Sequence, residues 1–272
     1  MQYRLFFLIS MLIPLQLLAI HDPNTRTARS MGMGNISVVG TGYGSVYHNQ
    51  AALAYFNQMA ASIDYDQGFF ADKTLSTKSG AFILPTGAGV FGLSLSHFGH
   101  QQFNEQKIGL AYGKALGKYI AVGVQLDYFR SFIGGNYGNA QAVSFEIGIY
   151  SKLSEKLELG AHMFNPIGMQ IGEENPESIP VGFQLGLLYH VDHKLILATE
   201  VEKILDKKTS YKFGLEYLIG DHLMVRTGVA TTPTLFTFGF GLKMKNLVFD
   251  VGTGFHQTLG FTPRVSLHFH FN

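Results

Sequence analysis

The chain has no cysteine and no tryptophan, and only 14% of its 272 residues are charged. Without cysteine, a disulfide framework, a thiolate zinc site, a thiol nucleophile and a lipid-anchoring cysteine are all excluded. Charge of either sign is scarce and balanced, 20 Lys and Arg against 19 Asp and Glu. That leaves neither the basic field that nucleic acid requires nor a polybasic membrane patch. Beyond the first twenty residues, no run approaches the ~18 apolar residues of a membrane-spanning helix. Enzyme signatures are missing too. No G-x-S-x-G elbow occurs, and Gly40-Thr41-Gly42 and Gly87-Ala88-Gly89 are not followed by the Lys-Ser/Thr of a phosphate loop. Ser144, Ser266, His162 and His256 supply residue types for nucleophilic catalysis, but from separate strands. No catalytic set, cofactor or metal site is expected.

The chain is rich in glycine (32), phenylalanine (23) and tyrosine (13). Arg4, the apolar stretch Leu5 to Leu18 and Ala19 with Leu17 two residues before it read as a secretory signal peptide over residues 1–19. Removing it takes away Arg4 and leaves the mature chain neutral. High glycine, high aromatic content and low charge in an exported protein suit an outer-membrane barrel or a secreted all-β domain.

From Gln58 to Asn272 the sequence divides into segments of roughly 9–12 residues with period-two alternation, the length of tilted strands crossing an outer membrane. Val122, Val124, Leu126 and Tyr128 alternate with Gly123, Gln125 and Asp127. Phe236, Phe238, Phe240 and Leu242 alternate with Thr237, Gly239 and Gly241, and the final stretch Thr262 to Asn272 carries aromatics on one face. Short polar turns, as at Gly117-Lys118, Asp192-His193 and Lys245-Asn246, alternate with generally longer links such as 132–139, 166–180 and 257–263. A soluble sandwich would also alternate along its strands, but it does not require short and long connections in turn. The pattern predicts an all-β transmembrane antiparallel barrel of about fourteen strands.

Ten glycines fall on the inward set: Gly109, Gly123, Gly148, Gly160, Gly186, Gly214, Gly228, Gly239, Gly252 and Gly254. Glycine weakens a strand unless another backbone must approach closely; alternatively it relieves crowding in a curved barrel. The candidate guest is the segment 20–57, which lacks strand alternation and holds a helix within Ser45 to Phe56. Its Arg26 and Arg29 are expected to find partners among inward acids such as Asp127, Glu146, Glu158, Glu200, Glu216 and Asp250.

That segment carries Ala28-Arg29-Ser30-Met31-Gly32-Met33-Gly34 and Asn49-Gln50-Ala51-Ala52-Leu53-Ala54. The pair resembles the "ARxxGMGG … NPAALA" signature of the PorV/PorQ-like branch of the FadL outer-membrane barrel superfamily of Bacteroidetes. The matching positions are Arg29, Gly32, Met33, Gly34, Asn49, Ala51 and Leu53. Asn35 stands where the family has a second glycine and Gln50 where it has proline, and the acidic residue usual between the motifs is missing. The resemblance implies a barrel with an N-terminal plug in a Gram-negative outer membrane. It leaves two functions open, because the superfamily includes transporters of hydrophobic compounds and partner proteins of type IX secretion.

The histidine pairs His97/His100, His190/His193 and His268/His270 lack carboxylates at a ligand spacing, and the last pair is expected to fill the lumen. His190 and His193 are expected to be solvated at a turn. Apolar residues in two long links, Phe132, Tyr137, Phe164, Ile167, Met169 and Ile171, are expected at the outer rim, where exposed apolar groups suit partner docking or capture of a hydrophobic ligand. About 250 mature residues leave little beyond strands, plug and modest loops. The first reading is therefore a non-catalytic subunit of an outer-membrane complex for type IX secretion or envelope assembly, in contact with outer-membrane lipid and protein partners. The alternative is FadL-like passive uptake of a hydrophobic small molecule.

Overall fold

The computed structural model describes residues 25–68, 75–135, 138–172, 176–256 and 260–271; the leader expected over 1–19 lies outside them. Sixteen strands are present: β1 (Ala60–Asp66), β2 (Thr77–Thr86), β3 (Gly89–His100), β4 (Phe103–Ala115), β5 (Ile120–Ile133), β6 (Gly138–Lys152), β7 (Leu157–Phe164), β8 (Gln170–Ile171), β9 (Glu177–Ser178), β10 (Gly182–His190), β11 (Leu195–Ile204), β12 (Ser210–Ile219), β13 (Leu223–Thr231), β14 (Thr234–Met244), β15 (Leu247–His256) and β16 (Gly260–His270). All except β8 and β9, which form a separate two-stranded piece, close into one antiparallel barrel of fourteen strands. The seam joins β1 to β16, from Ala60 opposite His270 to Asp66 opposite Arg264, with an Arg264–Asp66 ion pair of 2.6 Å.

Period-two alternation sets the two faces of each strand. On β14, Phe236, Phe238 and Phe240 are 49%, 54% and 57% exposed while Thr237 is wholly buried. On β5, Val124 and Leu126 face out and Gln125 and Asp127 are buried. Such a molecule is apolar outside and polar inside, the reverse of a water-soluble core and the arrangement that a lipid-facing wall requires. Among the described residues no helix is long and apolar enough to cross a membrane; the strands do so.

Six connections at one end of the barrel are short, including 87–88, 116–119, 191–194 and 245–246. The other end holds the longer links, among them 165–181, where β8 and β9 lie. The alternation breaks at four connections on that end: 101–102 and 232–233 have two residues each, and 134–137 and 257–259 have four and three, no longer than the turns opposite, because β5, β6 and β16 run on into the longer links expected at 132–139 and 257–263.

The N-terminal segment lies inside this barrel. It contains α1 (Ala28–Gly32), α2 (Ser45–His48) and a 3-10 helix (Gln50–Tyr55). The single helix expected within Ser45 to Phe56 is thus two short pieces. They are separated by Asn49, which is extended at φ −154° and whose carboxamide oxygen accepts from the Ala51 N–H. The helix at Ala28 was not expected, since five residues carry too little periodicity to be seen. Its Thr27 cap accepts from Ser30 N–H, satisfying a donor that the helix start would leave open.

Candidate functional site

The plug and the wall fit by close backbone approach. Nine of the ten inward glycines face the plug, and Gly109 instead faces the Ser94 and Gln125 side chains of the wall. A Cβ at Gly123 would overlap the backbone of Gln50 and Ala51, one at Gly160 the Val38 carbonyl, and one at Gly252 the Ala28 carbonyl. Gly32 and Gly239 meet face to face, with Gly239 Cα 3.0 Å from where a Gly32 Cβ would stand. Gly34 has φ +74°, and Asn35 follows at φ +61°. Asparagine is one of the few side chains that tolerates this left-handed region, which explains how it can stand in place of a second glycine.

Donors on the plug meet acceptors on the wall. Ala28 N–H donates to Ser266 Oγ at 2.8 Å, and Gly34 N–H to Thr237 Oγ1 at 2.8 Å. The backbone N–H groups of Ser37 and Val38 both donate to Glu200 Oε2, at 2.7 and 2.8 Å. The Asn49 carboxamide donates to three carbonyls, Val38 at 3.0 Å, Ile149 at 3.2 Å and Ala161 at 3.4 Å. Gln50 donates to Glu146 Oε2 at 2.8 Å, a bond that proline at this position would not supply. Ala51 sits over Gly123, and Leu53 is fully buried with Val46, Ile83 and Val90.

Arg29 reaches Glu216 with two bonds, Nε to Oε2 at 2.9 Å and Nη2 to Oε1 at 3.1 Å. That carboxylate holds the guanidinium above its already high ordinary pKa. Arg26 lies 3.9 Å from Glu202, an inward acid on the same face of β11 as Glu200. The remaining expected acids are held by cations of the wall itself. Lys107 takes Asp127 at 3.3 Å and Glu146 at 2.5 Å. Lys212 takes Glu200 at 2.6 Å and Glu202 at 3.0 Å. Arg226 bridges Glu216 and Asp250, each at 2.5 Å. Glu158 accepts from Tyr150 and pairs with His190 at 3.1 Å, so His190 is not the solvated turn residue expected. Lys107, Lys212 and Arg226 are all buried, and a charge out of water persists only where paired and hydrogen-bonded. Their signal in the sequence was parity: each occupies an inward position of its strand.

The residue types considered for catalysis are engaged elsewhere. Ser266 donates to Asp64 at 2.5 Å, Ser144 to Asn165 at 2.7 Å, and His162 lies 2.9 Å from Glu146. Among the described residues no group of three or more His, Asp or Glu is placed to hold a metal ion.

At the long-loop end, the expected apolar rim divides. Ile167 and Met169 are exposed, at 58% and 38%, whereas Phe164 and Ile171 are buried at 3% and 9%. Phe132, at the outer edge of β5, is half-buried, and Tyr137 lies outside the described residues. Phe164 and Ile171 turn inward to pack with Phe129, Ala142 and Ile179, and Lys107 Nζ stands 4.9 and 5.6 Å from the Phe164 and Phe129 ring centroids. Asn165 fixes this fold-back. It accepts from Ser144 Oγ and from Met169 N–H at 2.9 Å, and donates to the Ile179 carbonyl at 2.8 Å. Sequence reasoning missed Asn165, whose φ of +48° is a loop property that strand periodicity does not report.

At the short-turn end the lumen is not filled. A cavity of about 390 Å³ lies between the plug and the ends of β7, β10, β11 and β13 to β16. Met33, Ile36 and Val39 of the plug and Leu188, Ile196 and Ala198 of the wall supply its apolar lining; Arg29, Tyr43, Arg226, Lys243, His268 and His270 are among the polar residues that complete it. The size lies at the lower end of small-molecule pockets, ~300–1,000 Å³. Within the plug, burial pushes the Tyr43 hydroxyl pKa up and the His48 imidazole down to about 3.

No protein-family model matches the chain, and no curated protein matches it by sequence. Solved structures do share its architecture. The Pseudomonas putida toluene transporter TodX superposes with a TM-score of 0.66 at 12% identity, covering 92% of this chain and 100% of that one. A Pseudomonas aeruginosa FadL homologue gives 0.66 at 12% identity, covering 91% and 99%. A TodX mutant described as a monoaromatic hydrocarbon channel gives 0.64 at 14% identity, covering 90% and 99%. The chain therefore has the fold of a FadL-type barrel.

Proposed function

We propose that this protein is an outer-membrane barrel of the FadL superfamily that passes a small hydrophobic molecule, with its N-terminal segment as the hatch. The observation that carries the reading is the lumen. A plug seated by hydrogen bonds and ion pairs closes it, and beneath that plug is a cavity whose apolar lining the plug and the wall supply together. Likeness in fold to proteins named as a toluene transporter and a hydrocarbon channel supports the same reading. Short turns then face the periplasm and long links the exterior. The mechanism is passive: the apolar solute enters from the long-loop end, a shift of the plug opens a path, and the solute leaves through the cavity. The test is uptake of a radiolabelled alkylbenzene by cells that lack other barrels of this type, with and without the protein. Equal uptake would overturn the proposal.

A second reading, a partner subunit of an outer-membrane complex in the PorV/PorQ-like manner, is favoured by one feature. Ile167 and Met169 are exposed beside a loop whose base Asn165 fixes. Stoichiometric recovery of other envelope proteins after mild-detergent purification would support it.

A further inference from the structure

The two faces of the wall treat their cations differently. The inward Lys107, Lys212, Arg226 and Arg264 each hold a carboxylate. On the outward face of β2 to β6, Lys78, His97, Gln106, Arg130 and Gln141 stand in register as one unbroken row. Among the described residues neither Lys78 nor Arg130 has an ion pair. The acids of these strands, Glu105, Asp127 and Glu146, are all inward and buried. The Arg130 guanidinium has a neutral partner, Asn139 Oδ1, which accepts from Nε at 3.2 Å and from Nη2 at 2.8 Å, so it is held in place with its charge uncompensated.

The row lies where the apolar band ends, on the long-link side. Two residues nearer the middle of each strand, the same face carries Leu95, Ile108, Tyr128 and Val143, all between 36% and 48% exposed. Gly80 completes that line and leaves the surface open between Ile63 and Leu95, its neighbours in register. Tyr65, beside Lys78, and Tyr128 mark the interface, where tyrosine gathers between lipid and water. Long basic side chains at that height lie along apolar surface and lift their charge to the headgroups. Lys78 and Arg130 are three strand steps apart, ~14 Å at the usual strand spacing.

We propose that this row is a docking surface for the phosphorylated glycolipid of the outer leaflet. Lys78 and Arg130 take the two phosphates of a bis-phosphorylated disaccharide, His97 and Gln106 bond the sugars between them, and the acyl chains lie on the apolar line below, one of them over Gly80. A headgroup with a single phosphate reaches only one of the two cations, which selects the glycolipid over an ordinary anionic phospholipid. The proposal rests on the orientation given above, with the long links outside, and is independent of what passes through the lumen.

Native mass spectrometry of the full protein in detergent tests this, with bis-phosphorylated lipid A, its dephosphorylated form and phosphatidylglycerol as probes. Lipid A is expected to bind at least tenfold more tightly than either of the others. Lys78→Gln and Arg130→Gln, both outside the lumen, are each expected to weaken it about fivefold. Lys203→Gln, on β11 opposite β2 in the ring, is expected to leave it unchanged. Equal binding of the phosphorylated and dephosphorylated forms, phosphatidylglycerol binding as tight as that of lipid A, or an unchanged lipid A affinity in the Lys78→Gln, Arg130→Gln double variant would overturn the proposal. None of these results alters alkylbenzene uptake, so failure here is distinguishable from failure of the transport reading.

Discussion

The two halves of the plug share a steric seat and differ in charge. From Ala28 to Val39 the plug lies on Gly160, Gly186, Gly214, Gly228, Gly239, Gly252 and Gly254 of the wall and is tied in addition through charge, with Arg29 on Glu216 and two backbone N–H groups on Glu200. From Ser45 to Phe56 it has no ion pair of its own among the described residues. There the 3-10 helix lies in a trough of Gly113, Gly123 and Gly148, with the Asn49 carboxamide bonded to three carbonyls. A charged contact is long in range and weakened by salt, whereas steric seating is short in range and indifferent to it. Salt therefore weakens one component of the hold on the first half and leaves the seating of the second unchanged.

The strongest way to break this comparison is to fill the trough. Gly123→Val places a side chain on the backbone of Gln50 and Ala51 and is expected to unseat the plug at a cost of ~3 kcal/mol or more. The readout is a rise in single-channel conductance in planar bilayers. Gly87→Ala, at a site with nothing within 4 Å of the added Cβ, is expected to leave conductance unchanged. A paired measurement sharpens the contrast. Asn49→Ala removes its bonds to three carbonyls, at about 2 kcal/mol. Arg29→Gln costs only about 1 kcal/mol, because Arg29 is partly exposed and Glu216 keeps Arg226. Opening frequency in Arg29→Gln should be insensitive to salt, while wild type and Asn49→Ala should open more often as salt rises. The smallest effect is in pH. Buried His48, neutral and donating to the Thr25 carbonyl at 2.8 Å, has its pKa lowered to about 3. Between that value and its ordinary 6.5, the undocked segment binds more protons than the docked one, so seating is full above pH 6.5 and weakens as pH falls. A change of about fourfold is expected at pH 6, and it should vanish in His48→Gln.

What the sequence made legible follows from periodicity. Alternation fixed the faces of β5 and β14 because each face meets one environment along its length. Glycines at inward parity announced a backbone guest, since a gap on one strand face has few other uses. Periodicity says nothing where the chain stops alternating. Phe164 and Ile171 were expected at the rim because they are apolar and lie in or beside a link, yet the link folds inward and buries them over Lys107. That Arg26 meets Glu202 in particular could not be read, because which inward carboxylate is already held by Lys107, Lys212 or Arg226 depends on strand register, which single segments do not carry. The cavity was hidden for a related reason: its walls come from the plug and seven strand ends that meet only once the ring has closed.

Closure of the ring has a consequence for how the protein is made. The seam strand β16 bonds to β1 along one edge, and its Ser266 accepts from the plug at Ala28, 238 residues earlier in the chain. The plug also contacts β11, β12 and β14 through Glu200, Glu216 and Thr237. Its seat is therefore complete only when the two ends of the sheet have come together. Contacts between residues so far apart form late and slowly. A barrel that closed around an empty lumen would enclose Glu200 and Glu216 without their plug donors, a cost that favours assembly around the plug as a mandrel.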